Sequence, residues 1–170
     1  KSNLRQLVQT QMHKRGLTCQ CIRCREVRGN EIAVGHIRAT EELRLDVVIY
    51  ATDATQEHFI QYLTPGGQLA GFLRLFLPNA PRAGLPISEI RESAMVRELH
   101  VYGPAQALGQ RGGAAQHRGL GTQLLDVAAE IAQRAGFKTL AVIAAVGTRP
   151  YYRERGFTTG DLYPIRQLAV

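Results

Sequence analysis

The feature that most constrains this chain is a loop with two glycines, Gly119 and Gly121, followed directly by an amphipathic helix. Glycine lets the backbone approach a ligand closely, and a helix start offers unpaired N–H groups at the positive end of its dipole. The combination favours a pyrophosphate site, although a plain turn before a helix fits the glycines equally. The residues that we expect to contact the ligand form one run: Gln116, His117, Arg118, Gly119, Leu120, Gly121 and Thr122.

The segments on either side favour the phosphate site over the plain turn. Residues 94–102 alternate between apolar and polar side chains as a strand does, and an apolar helical stripe follows the loop. Gly136 is suited to end that helix, and a new apolar strand is predicted over 138–145. A second helix bearing Tyr152 completes a coherent strand–loop–helix–strand–helix unit.

Length, composition and charge limit the class of protein. The chain has 170 residues, enough for one domain with a buried core, and 45% of them are hydrophobic. No apolar run approaches the length of a membrane span, so we expect a cytoplasmic protein with no membrane partner. The start at Lys1 rather than Met predicts a piece of a longer protein. The net charge of +7 favours an anionic partner.

Strands cluster early in the chain and then alternate with helices. This order predicts an α/β protein with a mixed, mostly antiparallel sheet of six or seven strands flanked by helices. Gly71 is expected to mark a bulge or a close backbone approach. Besides the unit above, we predict a helix over 3–15, strands over 26–37, 44–50, 58–63, 68–77 and 162–170, turns at 53–56 and 65–67, and loops over 78–86 and 103–115. We divide the chain into a helix with a cysteine-containing linker, 1–25, and one domain, 26–170.

The three cysteines lie within six residues, at Cys19, Cys21 and Cys24. An odd number of thiols in a chain without a secretion signal argues against a disulfide framework. Zinc accepts three cysteines and one histidine, so the cluster predicts a structural metal site, with three free thiols on a turn as the alternative. The candidates for the fourth ligand are His13, His36, His58 and His100.

Two later strings carry a resemblance to a known family. Residues 97–103, Arg-Glu-Leu-His-Val-Tyr-Gly, precede the glycine loop, and residues 147–152, Gly-Thr-Arg-Pro-Tyr-Tyr, follow it. The glycine loop and the spacing from Tyr152 to Phe157 resemble the acetyl-CoA-binding half of the GNAT acetyltransferase superfamily. The two strings make the whole chain similar to the C-terminal acetyltransferase domain of the Elongator catalytic subunit family.

The resemblance implies a function and a set of partners. In that family the domain follows a radical S-adenosylmethionine domain, and the pair installs a carboxymethyl-type modification on the wobble uridine of tRNA with acetyl-CoA as the acyl source. We therefore expect acetyl-CoA, tRNA and an upstream domain of the same polypeptide as partners. An iron–sulfur cluster and S-adenosylmethionine are expected only in that upstream domain. The cysteine turn resembles the zinc-binding linker of prokaryotic members. The resemblance also implies that strands 96–102 and 138–145 splay apart to admit CoA.

Acyl transfer from a thioester needs an acid for the leaving thiolate and a base for the attacking group. Tyr152 occupies the superfamily position for the acid, and packing in the core is the alternative. Glu98 and His100 alternate onto one face of their strand and suit a base and its orienter. Two alternatives remain open: Glu98 as a buried carboxylate in a structural hydrogen-bond pair, and His100 as a zinc ligand. The further residues that we expect to contact acetyl-CoA are Leu99, Val101, Tyr151 and Tyr152.

Basic residues decorate two predicted helices, and each is either a tRNA contact or part of a solvated helix face. One group is Arg149, Arg153 and Arg155, and the other is Lys1, Arg5, Lys14 and Arg15. The chain has no Trp, so we expect no aromatic platform for reading bases. Two other functions stay open: a protein lysine acetyltransferase, and an acetyl-CoA- or tRNA-binding module without turnover.

Overall fold

The computed structural model of the chain describes residues 3–27, 43–80, 86–102 and 119–168. These residues contain four α-helices, seven strands and two short 3₁₀ turns. In chain order they are α1 (Leu4–Lys14), α2 (Ile22–Arg25), β1 (Arg44–Ala51), β2 (Thr55–Leu63), β3 (Leu69–Pro78), a 3₁₀ turn (Ser88–Ile90), β4 (Ala94–Val101), α3 (Leu120–Arg134), β5 (Thr139–Val142), a second 3₁₀ turn (Val146–Thr148), α4 (Arg149–Arg153), β6 (Thr158–Thr159) and β7 (Pro164–Gln167).

The strands form one seven-stranded sheet in the order β1-β2-β3-β4-β5-β7-β6. Every neighbouring pair is antiparallel except β4 and β5, which are parallel. The predicted α/β class and the mixed, mostly antiparallel sheet are therefore confirmed. None of the helices in the described parts of the chain is both long and apolar enough to span a membrane.

The predicted helices and the hairpin loop are confirmed, and several strand ends differ. Gly16 and Gly136 follow α1 and α3 at φ +67° and +88°, as helix-ending glycines do. β2 begins at Thr55, inside the turn predicted over 53–56, because Thr55 and its neighbour pair with the end of β3. β5 is shorter than predicted because the chain turns away from β4 after Val142, and β7 covers only Pro164–Gln167. The predicted strand 26–37 beyond 27, most of the loop 78–86 and the loop 103–115 lie outside the described residues.

The core lies between α3 and one face of the sheet, called here the α3 face. Leu124 and Leu125 on the helix are completely buried, as are Leu73 and Leu75 on β3. Each such leucine contributes about 2 kcal/mol by leaving water. The helix is therefore fixed firmly against the strands, and its first turn is held at a defined position beside β4.

A β-bulge at Arg97 decides which face of the sheet β4 presents to α3. Leu75 of β3 pairs with Val96, and the preceding residue, Arg74, pairs with Glu98. Arg97 of β4 therefore has no pairing partner on β3. Because side chains alternate along a strand, a regular ladder would direct Glu98 toward α3. The bulge directs it to the opposite face, called here the open face.

The parallel pair β4 and β5 separates partway along its length. The two strands pair from Ala94 with Leu140 to Val96 with Val142, and the Ile143 amide still donates to the Val96 carbonyl at 3.1 Å. β4 then continues to Val101 along β3, while the chain after β5 turns into the 3₁₀ turn. The implied splay is confirmed, and the first turn of α3 lies beside it.

Gly71 of β3 lies against the same part of β4. A Cβ atom at this position would lie 3.0 Å from the His100 carbonyl oxygen, which is tighter than ordinary contact. The expected close backbone approach is therefore confirmed.

Candidate active site

The first turn of α3 forms one side of the opening between β4 and β5. Gly119 precedes it at φ +102°, a conformation that side chains other than glycine adopt rarely. Its carbonyl accepts the first helical hydrogen bond, from the Gln123 amide at 2.7 Å. The amides of Leu120, Gly121 and Thr122 belong to the part of a helix that has no internal acceptors, so they can serve a ligand. The predicted contacts Gln116, His117 and Arg118 lie outside the described residues.

Gly121, Tyr151 and Val101 meet at this helix start. A Cβ atom at Gly121 would overlap the Tyr151 hydroxyl and would lie 3.7 Å from a Val101 methyl group. Glycine at position 121 therefore makes room for the Tyr151 side chain against the end of β4. The arrangement fits a narrow phosphate-bearing ligand, because backbone amides and a phenol line the same gap. Burial raises the pKa of Tyr151, so its hydroxyl stays a donor at neutral pH.

Arg155 is a residue of this site that the sequence did not identify. Its Nε donates to the Thr122 hydroxyl at 2.8 Å, and its Nη1 donates to the Tyr151 carbonyl at 2.7 Å. The guanidinium lies 3.5 Å from the centre of the Tyr151 ring. A cation is thus held at the first turn of α3, whereas the sequence predicts a tRNA contact or a solvated helix face for Arg155. The four-residue spacing from Tyr151 was the available signal.

Tyr152 lies on the α3 face, where its ring packs edge-on against Tyr151 and Phe157 at 5.2 and 5.5 Å between centres. Its side chain is almost completely buried in the main core cluster. Burial raises its pKa to about 12, and Tyr151 contributes in the same direction. A phenol in this state is protonated at neutral pH and has a proton to donate. Its role as an acid stays a prediction.

Glu98 and His100 lie on the open face, as the bulge requires, with 3.6 Å between the His100 Nε2 and the Glu98 Oε1. The His100 ring stacks on Phe72 at 5.2 Å. Leu99, between them, packs with the α3-face core, and Val101 lies at Gly121. The predicted site residues of β4 therefore divide between the two faces at the point where the strand leaves β5.

The three thiols form a separate cluster in the N-terminal segment. The sulfur atoms of Cys19, Cys21 and Cys24 all lie within 4.8 Å of one another. Hydrogen bonds from Cys19 and Cys24 lower the pKa of Cys21 to about 7, which favours the thiolate that zinc requires. From α1, Arg5 and Gln9 lie 3.4 and 3.6 Å from the Cys24 sulfur as donors. These thiols fit a metal, because three ligand atoms converge and the pKa of Cys21 is lowered, although, against a backbone hydrogen bond with Cys21, side-chain hydrogen bonds with Cys21 and Cys24 raise the pKa of Cys19.

No histidine in the described parts of the chain joins the three thiols. His58 is buried in β2, where its Nε2 lies 2.9 Å from the Gln56 amide oxygen. His100 faces Glu98 in the sheet, and His13 lines a surface hollow with Cys19 and Cys24 without joining the cluster. The remaining candidate, His36, lies outside the described residues.

The fold is the mixed, mostly antiparallel sheet with helices that the sequence predicts, and similarity to known proteins extends over nearly all of the chain. No family model matches it. It is 38% identical over 160 residues to the tRNA uridine(34) acetyltransferase of Dehalococcoides mccartyi, covering 92% of this chain and 34% of that protein. It is 37% identical to Elongator complex protein 3 of Schizosaccharomyces pombe, covering 95% of this chain and 30% of that protein.

A solved structure gives the same result. The archaeal Methanocaldococcus infernus Elp3 with an N-terminal deletion matches 99% of this chain and 40% of its own, with 34% identity and a TM-score of 0.78. Proteins named tRNA uridine(34) acetyltransferase and Elongator complex protein 3 are therefore homologous to this chain over nearly all of its length. The chain spans about a third of the length of the relatives that it matches.

Proposed function

We propose that the chain binds acetyl-CoA in the opening between β4 and β5 and transfers its acetyl group, as the acyltransferase part of an enzyme that modifies the wobble uridine of tRNA. The separation of the two strands after Val96 beside a glycine-led helix is the observation that supports this most directly. The names of the relatives supply the tRNA substrate. The acetyl group would serve a carboxymethyl-type modification, completed by a radical S-adenosylmethionine domain elsewhere in the polypeptide.

In this proposal the first turn of α3 binds the pyrophosphate of CoA. The amides of Leu120, Gly121 and Thr122 donate to its oxygens, and Arg155 adds a positive charge nearby. Tyr151 and Val101 line the passage that leads from the phosphates toward the thioester. Leu99 lies farther along the same strand, so β4 follows the length of the ligand.

The proposed chemistry uses both faces of the sheet. Glu98, oriented by His100, takes a proton from the attacking group on the open face. The new bond forms to the thioester carbonyl carbon, and the bond from carbon to sulfur breaks. Tyr152 gives its proton to the departing thiolate from the α3 face, for which the raised pKa keeps the hydroxyl protonated. Side chains on opposite faces of one sheet can reach the same bond only where two strands separate. This supports the β4–β5 opening as the place of the reaction.

We also propose that Cys19, Cys21 and Cys24 hold a structural zinc ion. The metal would fix the turn between α1 and α2, whose few buried side chains provide little hydrophobic stabilisation. It supplies no chemistry to acyl transfer. The basic residues of α1 and α4 would contribute non-specific affinity for tRNA, as a polyanion requires.

Radiolabelled acetyl-CoA, incubated with the protein with and without a tRNA transcript, tests the proposed function. Loss of the acetyl group that depends on tRNA is the expected result. Label transferred to a peptide instead would indicate a protein lysine acetyltransferase. Binding of acetyl-CoA without any loss of the label, even with tRNA present, would indicate a module without turnover. Either of the last two results would contradict the proposal.

A further inference from the structure

A row of five polar side chains crosses the open face of the sheet from β1 to β4. The Tyr50 hydroxyl donates to the Glu57 Oε2 at 2.7 Å, and the Arg74 Nη2 donates to the same oxygen at 2.8 Å. The other terminal nitrogen of Arg74 donates to the Glu98 Oε2 at 3.3 Å. The row ends at His100, whose Nε2 lies 3.6 Å from the second oxygen of Glu98. One arginine thus joins the proposed base to a second carboxylate.

Exposure to solvent increases along this row from Glu57 to His100, while Tyr50 at the other end is itself 41% exposed. The side chain of Glu57 is 12% exposed, that of Arg74 32%, that of Glu98 41% and that of His100 54%. Hydrogen bonds from Tyr50 and Arg74 lower the pKa of Glu57 although burial opposes them, so this inner carboxylate stays charged. Glu57, within the row, is therefore fixed and ionised, while the His100 end is open to an acceptor.

The bulge at Arg97 makes this arrangement possible, because it brings Glu98 opposite Arg74. A regular ladder would place Arg97 there instead, and two arginines would face each other. In the structure the Arg97 guanidinium lies 5.5 Å from the centre of the Phe76 ring, beside the row. The register of β4 therefore pairs the one exposed carboxylate of the strand with the arginine of β3.

We propose that Arg74 is a positioning residue for acyl transfer, which holds Glu98 in the orientation and charge state of a base. We further propose that Glu57 sets how much of the positive charge of Arg74 acts on Glu98. The inference rests on the proposed function, in which Glu98 accepts the proton. The planar fork of a guanidinium holds two carboxylates in fixed directions, and a nearby cation favours the charged form of each.

Glu57 and Glu98 share the positive charge of Arg74. Neutralising Arg74 and neutralising Glu57 should therefore have opposite effects on Glu98. Removing the charge of Arg74 makes Glu98 harder to ionise, whereas removing the charge of Glu57 leaves the whole cation to Glu98. Among the described residues, the other charged and titratable groups near Glu98 are Arg97 and His100 on β4, Tyr102 after it, and Arg23 and Glu26 of the α2 segment beside Tyr102. They are unchanged in both variants.

The test is the pH dependence of acetyl-CoA turnover by the full-length protein with a tRNA transcript. In Arg74→Gln we expect the acidic limb of the profile to move to higher pH, because a contacting positive charge is lost. In Glu57→Gln we expect it to move down. Arg74→Lys keeps the charge but loses the fork, so the rate should fall severalfold with the limb in place. Arg44→Gln, on the exposed edge strand of the same sheet, is the control, and it should change neither the rate nor the position of the acidic limb.

A residue with only a structural role would lower the rate equally at every pH. An acidic limb at the wild-type position in Arg74→Gln, with normal acetyl-CoA affinity by calorimetry, would overturn the inference. If that variant does not fold, an unmoved limb in Glu57→Gln overturns it and a downward shift supports it. Glu98→Gln separates this inference from the proposed function. Full turnover in Glu98→Gln would overturn both the base and its positioning, whereas loss of turnover there, with unmoved limbs in the other variants, would overturn the positioning alone.

Discussion

The α3 face of the sheet and the N-terminal segment, residues 3–27, are held together in different ways. Leu124 and Leu125 of α3 are completely buried, whereas no residue of α1 is buried among the described residues. Leu4 and Leu7 of α1 are 68% and 48% exposed although they share a helical stripe. The contacts of α1 instead converge on the Cys24 sulfur. An apolar stripe therefore predicts a helix in both regions, but it does not say whether the stripe is covered.

The largest expected effect concerns chemistry on the α3 face. Tyr152→Phe removes one hydroxyl and keeps the buried ring, so the fold should survive while acetyl-CoA turnover with tRNA falls about 10²–10⁴-fold. Affinity for acetyl-CoA, measured by calorimetry, should change little, because the hydroxyl acts mainly as charge develops on sulfur.

Tyr151→Phe is the matched variant and should retain more turnover than Tyr152→Phe. The reverse order would show that the roles of the two tyrosines are exchanged. Full turnover in both variants would mean that the acid is not a tyrosine.

The second prediction concerns stability and compares the two regions directly. Leu124→Ala leaves a cavity under α3 and should lower the free energy of unfolding by about 2–5 kcal/mol. Leu7→Ala changes an exposed side chain of α1 and should cost less than about 0.5 kcal/mol. Urea unfolding of both variants measures the difference. Equal losses would show that the stripe of α1 is covered in solution, and the contrast between the regions would then disappear.

The third prediction separates the two regions through the metal. Cys24→Ser should abolish stoichiometric zinc, measured by elemental analysis, and should make the segment 3–27 more sensitive to proteolysis. Acetyl-CoA affinity should stay at the wild-type value, because the thiols bond to α1 rather than to the β4–β5 opening. A metal-free wild-type protein that is fully folded would eliminate the zinc site.

The smallest expected effect is a pH dependence of stability. Burial lowers the pKa of His58 below its ordinary value of 6.5, so the folded state binds fewer protons than the unfolded state. The free energy of unfolding should therefore fall as the pH drops below about 6.5. Its Nδ1 is buried without a hydrogen-bond partner among the described residues, which agrees with a neutral ring.

The measurement is urea unfolding at pH 5.5 and 7.5. His58→Leu should reduce the difference in unfolding free energy between the two pH values. His13→Leu, on the exposed α1, is the control from the other region. An undiminished difference in His58→Leu would assign the pH dependence to other groups.

Local features of the fold could be predicted from the sequence. The helices α1 and α3, the glycines that follow them and the hairpin at 65–67 depend on residues close together in the chain. Features that depend on the pairing of distant strands could not be predicted from the sequence. Thr55 enters β2 because β3 continues to Pro78, and no local signal marks that partner.

The same division holds for the site. Alternation along 94–102 correctly predicted that Glu98 and His100 share a face, but which face depends on the bulge, a property of the register with β3. Arg74 and Glu57 meet Glu98 only across strands, so no motif could reveal them. The sequence left Arg155 open as a tRNA contact or a solvated cation, whereas the fold brings it to Thr122.

The bulge at Arg97 lets β4 carry one residue more than its partner strand. Deleting Arg97 would restore a regular ladder in which Val96 still pairs with Leu75 and Glu98 still pairs with Arg74. Glu98 and His100 would therefore stay on the open face. Deleting Leu99 instead would turn His100 toward the α3 face, because side chains alternate along a strand. Along an evolving lineage, the loss of one residue should accordingly be tolerated at Arg97 more often than at Leu99.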